Sequence, residues 1–246
     1  MCFHNSMTKK AKQLANRYQR KLNFSESATE CAENLYHISA FNNPLYPVIT
    51  ASSEIQLYRW GLIPFWVKTE EDADSIRTKT YNARAESIFD KPSFRSSVTS
   101  KRCLIPSTGW FDWRHEKGKK IPYFIYVKDE EIFSMAGIYS EWQHPQTRQT
   151  LYTFSIITTA ANELMRCIHN TNSVCLSSSI RKKKKNGFTP NSTALPSKNF
   201  CNLLIPIAWK LMLSTIIFSK NLPTTPQPSN PFPPPPNYTL GTCPNV

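Results

Sequence analysis

Acidic residues stop two thirds of the way along this chain: all 17 Asp and Glu lie at or before Glu163. The stretch from Asn170 to Val246 carries 8 Lys and Arg and no carboxylate side chain. A soluble domain surface mixes both signs of charge, so a single fold spanning the whole chain is disfavoured. Up to His169 the chain holds 22 Lys and Arg against 17 Asp and Glu, a net of +5. That balance is ordinary and mildly favours an anionic partner. The overall charge of +13 belongs mainly to the tail. The chain therefore reads as one domain over residues 1–172, followed by a basic, proline-rich tail over 173–246 that is expected to be disordered.

The tail combines three unlike stretches. Arg181–Lys185 is a basic run, Phe200–Ser219 is largely apolar with Lys210 at its middle, and Leu222–Val246 carries nine prolines. A mid-span Lys costs about 2.5–3.5 kcal/mol on insertion scales, so no membrane attachment is expected, and the proline end reads as polyproline II. The opening MCFHNSMTKKAKQLANRYQRK has no apolar core of a signal peptide, which predicts a cytoplasmic protein. The seven cysteines, Cys2, Cys31, Cys103, Cys167, Cys175, Cys201 and Cys243, include no CxxC pair. Neither a zinc site nor a disulfide framework is expected, and no metal or other cofactor.

Up to Asn170, helix and strand signals alternate without a βαβ rhythm. Met7–Leu22 predicts an amphipathic helix and Ser25–Leu35 a second. Strand-like runs follow at Pro47–Thr50, Ile55–Trp60, Arg102–Ile105, Trp110–Trp113, Pro122–Val127, Ile132–Ile138 and Leu151–Thr158. Turn residues such as Ser107-Thr108-Gly109 and Glu116-Lys117-Gly118 separate them. Thr159–Ile168 reads as a helix capped by Thr158 or Thr159. The predicted fold is α+β, a single domain with a mostly antiparallel, curved or barrel-like sheet flanked by helices.

Cys2 is the first residue with distinctive chemistry. Removal of Met1 would leave an α-amine and a thiol on adjacent carbons. An α-amine has a pKa of about 7.7–8.0, so part of it is neutral at pH 7. It can attack an aldehyde to form a Schiff base, on which the thiol closes to give a thiazolidine. Taken alone, a cysteine at position 2 can equally be incidental.

Several segments narrow the reading: Met1-Cys2, Trp60-Gly61-Leu62-Ile63-Pro64-Phe65-Trp66, Tyr81-Asn82-Ala83-Arg84-Ala85-Glu86 and Lys91-Pro92-Ser93-Phe94-Arg95. Arg102-Cys103-Leu104-Ile105-Pro106-Ser107-Thr108-Gly109-Trp110-Phe111-Asp112-Trp113 follows, then Ile156-Ile157-Thr158-Thr159-Ala160-Ala161-Asn162 leading to Ile168-His169-Asn170. In order, spacing and identity these resemble the SOS-response-associated peptidase (SRAP) family of abasic-site processing proteins, from residue 1 to about 170. The resemblance implies a protein of the DNA damage response that removes its own Met1. It would then form a covalent cross-link, with lyase-type chemistry, between Cys2 and abasic sites in single-stranded DNA. It implies a monomer whose partner is that DNA.

By the same resemblance, Asn82 positions the sugar and Cys2, and His169 shuttles a proton at the sugar, a role that suits a near-neutral pKa. Asp112 stands where the family has Glu, the acid–base residue near the terminal amine. It keeps the carboxylate but shortens the reach by one methylene. Arg84 and Arg95 are candidate phosphate contacts. Trp66 and Trp113, with Trp110, are candidates for stacking on unpaired bases, although alternation along Gly109–Arg114 must bury at least one tryptophan. Without the resemblance, Asn82 also fits a strand-end residue, Arg84 and Arg95 surface ion pairs, and His169 a helix cap.

The resemblance stops just after His169. The family continues into a basic-Met-Pro or basic-Arg-Pro turn, an apolar strand and a helix containing Trp, whereas this chain reads Ser173-Val174-Cys175-Leu176-Ser177-Ser178-Ser179-Ile180-Arg181. One permitted codon string for that segment, read from its third base, spells Arg-Met-Pro-Val-Ile-Leu-Asn-Lys. A single-base frameshift near Asn172 would account for that, and for the absence of carboxylates beyond it. The lost strand would leave a bare sheet edge. The alternative function is therefore an inactive, frameshifted remnant that only binds single-stranded DNA; a third reading is a membrane-tethered or proline-motif adaptor built on the tail.

Overall fold

The computed structural model describes residues 2–22, 35–127, 129–161, 163–168, 170, 174–176, 178–179 and 216–219. Its strands form two sheets. In the larger, β4 (Leu45–Ile49), β5 (Glu54–Trp60), β7 (Arg102–Ser107), β10 (Phe133–Gln143) and β11 (Thr150–Ala160) run in the order β11-β10-β7-β4-β5. A parallel pairing of Thr153 with Arg59 and Phe154 with Trp60 joins β11 back to β5. Those five strands therefore close into a barrel, and closure removes the exposed edges an open sheet would carry. The second sheet is built from β1 (His4–Met7), β3 (Leu35–Ser39), β8 (Gly109–Glu116), β9 (Lys119–Val127) and β14 (Ile216–Ser219), in the order β14-β9-β8-β1-β3. Two short strands join the larger sheet by parallel pairing, β2 (Lys21–Leu22) on β5 and β6 (Asn82–Arg84) on β11. The expected α+β class with a mostly antiparallel, barrel-like sheet is the fold observed.

Runs of consecutive buried residues along β4, β7 and β11 build the core of the barrel. Trp60, Tyr46, Phe154, Ile105 and Met135 are fully buried, and Phe154 lies against Trp60 at 5.9 Å and against Tyr46 at 6.0 Å between ring centroids. Each such side chain contributes about 1.5–3 kcal/mol on burial. Gly61, with φ of +112°, turns the chain out of β5 in a conformation that favours glycine. The chain passes from the barrel to the second sheet between Ser107 and Gly109, a segment whose composition announces only a turn.

Two predicted helices are corrected. The Met7–Leu22 helix is shorter, α1 (Ala11–Tyr18), because His4–Met7 is a strand between β3 and β8, and Lys21–Leu22 pair with β5. The Thr159–Ile168 helix begins later, α4 (Glu163–Ile168), because β11 continues through Thr158 and Thr159 to Ala160. There the Glu86 carboxylate accepts from the Ala160 N–H at 2.8 Å and the Thr159 hydroxyl at 3.3 Å, holding the backbone extended. The helix expected at Ser25–Leu35 falls outside the described residues, apart from Leu35, which opens β3. Two helices were not anticipated, α2 (Glu70–Arg77), capped by Thr69 whose hydroxyl accepts from the Asp72 N–H at 3.1 Å, and α3 (Arg95–Ser100).

Beyond residue 172, β12 (Val174–Leu176) pairs with Thr158–Ala160 of β11, and β13 (Ser178–Ser179) with Ser134–Met135 of β10. Over those residues of β11 and β10 the larger sheet is paired, where a bare edge was expected after the lost strand. No described helix is long and apolar enough to cross a membrane.

Candidate active site

Cys2 stands two residues before the start of β1, and a buried polar chain fixes where β1 lies. Asn5, fully buried, donates through Nδ2 to the Tyr46 hydroxyl at 2.7 Å, and that hydroxyl donates to the Pro106 carbonyl at 2.6 Å. The Ser107 hydroxyl donates to Asn5 Oδ1 at 2.7 Å and accepts from the Gly109 N–H at 3.1 Å. Buried amides and hydroxyls must be paired in this way or cost about 1–3 kcal/mol each. The chain ties the N-terminal strand to the junction between the two sheets. Burial pushes the Tyr46 hydroxyl well above its usual pKa, and the Tyr18 hydroxyl and the Cys2 thiol add to the effect.

The Cys2 thiol is itself buried, with Sγ 3.6 Å from the His4 carbonyl oxygen. The Cys2 carbonyl accepts from Asn82 Nδ2 at 2.9 Å. Asn82 opens β6, whose parallel pairing with Ile156 fixes its place beside the barrel. Its other amide atom, Oδ1, is buried and has no hydrogen-bond partner, and neither does Oγ1 of buried Thr158 on β11. An acceptor held in place with nothing to accept is unusual in a folded protein.

Asp112 lies on β8, buried, with one carboxylate oxygen accepting from the Trp113 N–H at 2.9 Å. Its charge reaches His4. Burial and the neighbouring His37 lower the His4 pKa from 6.5 to about 4, against a smaller upward pull from Asp112. The His4 ring stacks on His37 at 5.0 Å with an interplanar angle of 7° and meets Trp113 edge-on at 4.6 Å. On the other side of Cys2, Phe3 stacks on Phe41 at 5.0 Å and meets Tyr81 edge-on at 6.2 Å.

Of the residues singled out in the sequence, Cys2 and Asn82 are in direct contact, and Asp112 and Trp113 join them through His4. Arg84 is exposed at the far end of β6 from Asn82, and Arg95 is exposed at the start of α3. Trp66 is 45% exposed, between exposed Phe65 and the Pro92 carbonyl, to which its indole N–H points at 3.4 Å. Trp110 is the core tryptophan, packed on Phe133. His169 lies outside the described residues. Its neighbours are described: Ile168 is buried, and the Asn170 amide accepts from the His115 N–H at 3.1 Å and donates to the His115 carbonyl at 2.7 Å. Among the described residues no cluster of His, Cys, Asp and Glu is arranged to hold a metal ion.

Sequence reasoning missed His4, Asn5, Tyr46 and Ser107. Only His4 carried a local signal, an imidazole close behind Cys2. Asn5 and Ser107 are 102 residues apart, and nothing in either segment announces the other.

The sequence profile of the family described as SOS response associated peptidase (SRAP) matches residues 1–196. The protein named abasic site processing protein YoqW from Bacillus subtilis is 40% identical over 157 residues, covering 61% of this chain and 68% of that protein. The abasic site processing protein HMCES of Gallus gallus is 35% identical over 131 residues, 46% of this chain and 39% of that one. A crystal structure of a protein from Bacteroides thetaiotaomicron superposes with a TM-score of 0.72 at 53% identity, covering 73% of this chain and 78% of that one.

Proposed function

Because this chain belongs to the SOS response associated peptidase family, we propose that it processes abasic sites in single-stranded DNA by covalent capture through Cys2. The observation that carries the proposal is the 2.9 Å bond from Asn82 Nδ2 to the Cys2 carbonyl, with Asn82 Oδ1 left buried beside it without a partner. One amide atom holds the nucleophilic residue. The other can accept a hydrogen bond from an incoming hydroxyl or amine.

Hydrolysis of the Met1–Cys2 peptide bond frees the Cys2 amine, with Asp112 as the acid–base group. The amine adds to C1 of the ring-opened deoxyribose and a water leaves, giving an imine. The thiol then adds to the imine carbon while its proton passes to the nitrogen, closing a thiazolidine. His169 supplies and removes protons at the sugar. Arg84 and Arg95 contact phosphates, where basic side chains set affinity and its salt dependence. Exposed Trp66 and half-buried Trp113 offer faces on which unpaired bases stack. The working unit is a cytoplasmic monomer of the DNA damage response that needs no cofactor.

Asp112 favours a second reading. Its carboxylate is one methylene shorter than the family's Glu and is engaged by the Trp113 N–H. A displacement of about 1 Å can cost about 100-fold in rate, and a remnant that only binds single-stranded DNA would follow. Incubation with a single-stranded oligonucleotide carrying one abasic site, followed by denaturing electrophoresis, separates the two. A shifted band that Cys2→Ala abolishes, and that Asn82→Ala slows by about 100-fold, is expected. A salt-sensitive mobility shift with no covalent band would establish the remnant instead.

A further inference from the structure

Removal of Met1 would change what His4 can do. Counted from the new amine, the chain would read Cys2-Phe3-His4, a terminal amine with an imidazole in the third position. An N-terminus of that form carries four nitrogens able to meet in one plane: the α-amine, the amide nitrogens of Phe3 and His4, and Nδ1 of His4. They close two five-membered rings and one six-membered ring around a metal ion. Nδ1, not Nε2, is the ring nitrogen at the correct separation from the His4 amide. A planar set of nitrogen donors suits Cu(II) and Ni(II).

The structure bears on this in two ways. First, Nδ1 of His4 is buried and has no hydrogen-bond partner, a state that calls for an explanation in a folded protein. Second, Cys2 and Phe3 precede β1. The Asn82 Nδ2 bond at 2.9 Å and the Ala40 N–H bond at 2.8 Å go to their carbonyl oxygens. Chelation uses backbone nitrogens and leaves those oxygens able to accept.

We propose that, once Met1 is removed, Cys2, Phe3 and His4 form a binding site for square-planar Ni(II), and that the bound ion blocks covalent capture by occupying the α-amine. The proposal rests on the reading of Cys2 as the working N-terminus. Binding forms four metal–nitrogen bonds and releases the two amide protons, together with the ammonium proton where the amine is charged. Nothing is oxidised or reduced when the ion is Ni(II). Affinity therefore rises with pH, as for any site whose ligands must lose protons. The competing chemistry is an amine–thiolate chelate by Cys2 alone, which needs neither His4 nor the amide nitrogens.

Nickel chloride is the probe, because Cu(II) would oxidise the thiol. Intact mass is measured first and reports whether Met1 has gone. A retained Met1 counts against the reading of Cys2 itself, and the metal test then proceeds on full-length chain released from a cleavable fusion so that it begins at Cys2. Nickel retained through gel filtration and the visible absorption of square-planar Ni(II) are then followed. One equivalent is expected for the chain beginning at Cys2 and for Cys2→Ser. Loss is expected for His4→Gln and for a chain with one glycine inserted before Cys2, which displaces His4 from the third position without touching the His4 packing. Nickel should also suppress the abasic-site cross-link, and a chelator should restore it. Binding that survives both His4→Gln and the inserted glycine, or that disappears in Cys2→Ser, would assign the nickel to the thiol and overturn the proposal. Absence of uptake by the chain beginning at Cys2 would overturn it as well, and uptake that leaves cross-linking unchanged would overturn the blocking role.

Discussion

Asn82 and His4 each hold a buried polar atom without a hydrogen-bond partner close to Cys2. Asn82 spends one amide atom on the Cys2 carbonyl and keeps the other buried and unused. His4 is held neutral by its surroundings, and the sign of that effect predicts a pH dependence. Its folded pKa, about 4, lies below the ordinary 6.5. The unfolded chain therefore binds more protons between those values. The contribution of His4 to stability is full above about pH 6.5 and is lost as pH falls through the folded pKa near 4. Titration of its ring C2 proton by NMR should show a midpoint near pH 4; a midpoint near 6.5 would mean that the ring is hydrated and the packing against His37 and Trp113 is wrong. Cys2, Asn82 and Asp112 were legible in the sequence because each stands in a recognisable segment. His4, Asn5 and Ser107 were not, because their roles depend on partners brought from other strands.

The strands from Arg102 to Thr158 were legible because β-rich runs are bounded by turn residues such as Ser107-Thr108-Gly109 and Glu116-Lys117-Gly118. β1 was not. His4–Met7 has little strand propensity and becomes a strand because β3 and β8 flank it and the Asn5 amide is paired with Tyr46 of the barrel strand β4. The late start of α4 has a similar cause, since the Glu86 carboxylate that keeps Thr159 and Ala160 extended comes from 74 residues earlier. Thr69, followed by Glu70, Glu71 and Asp72 in the first turn of α2, was a readable helix start that hydrophobic periodicity alone did not register. The approach of β8 to β9 makes its own prediction. A Cβ at Gly109 would fall on the Phe124 ring and 2.8 Å from the Ile125 carbonyl oxygen. Gly109→Ala should therefore destabilise the protein by about 1–3 kcal/mol through overpacking. It should also displace the β7–β8 junction that the Asn5–Ser107 pair depends on. Urea unfolding measures the first effect, and an unchanged midpoint would show that β8 and β9 are less closely packed than this.

At the scale of the whole molecule, a closed five-strand barrel carries one half of the site and a second sheet carries the other. Asn82 comes from β6 on the barrel, Asp112 from β8, and Cys2 sits between them at the head of β1. That division explains why the candidate site is spread along the sequence from Cys2 through Asn82 to Asp112 and why no single segment announces it. The barrel was legible as a class, from strand number and spacing. Its closure by β5 and β11 was not, because a parallel pairing between strands so far apart in the chain, Trp60 with Phe154, leaves no local signature. The tail beyond residue 172 adds β12 and β13 to the larger sheet and β14 to the smaller, and none of the strands it adds contains a residue assigned to the chemistry. The central claim is that this scaffold presents Cys2 as a 1,2-aminothiol to an abasic aldehyde. Mass spectrometry of the protein after reaction with abasic single-stranded DNA tests it most directly. The account predicts a peptide that begins at Cys2, lacks Met1, and carries the sugar remnant with the loss of one water. Attachment through a lysine, or an adduct on a chain that still begins with Met1, would contradict it.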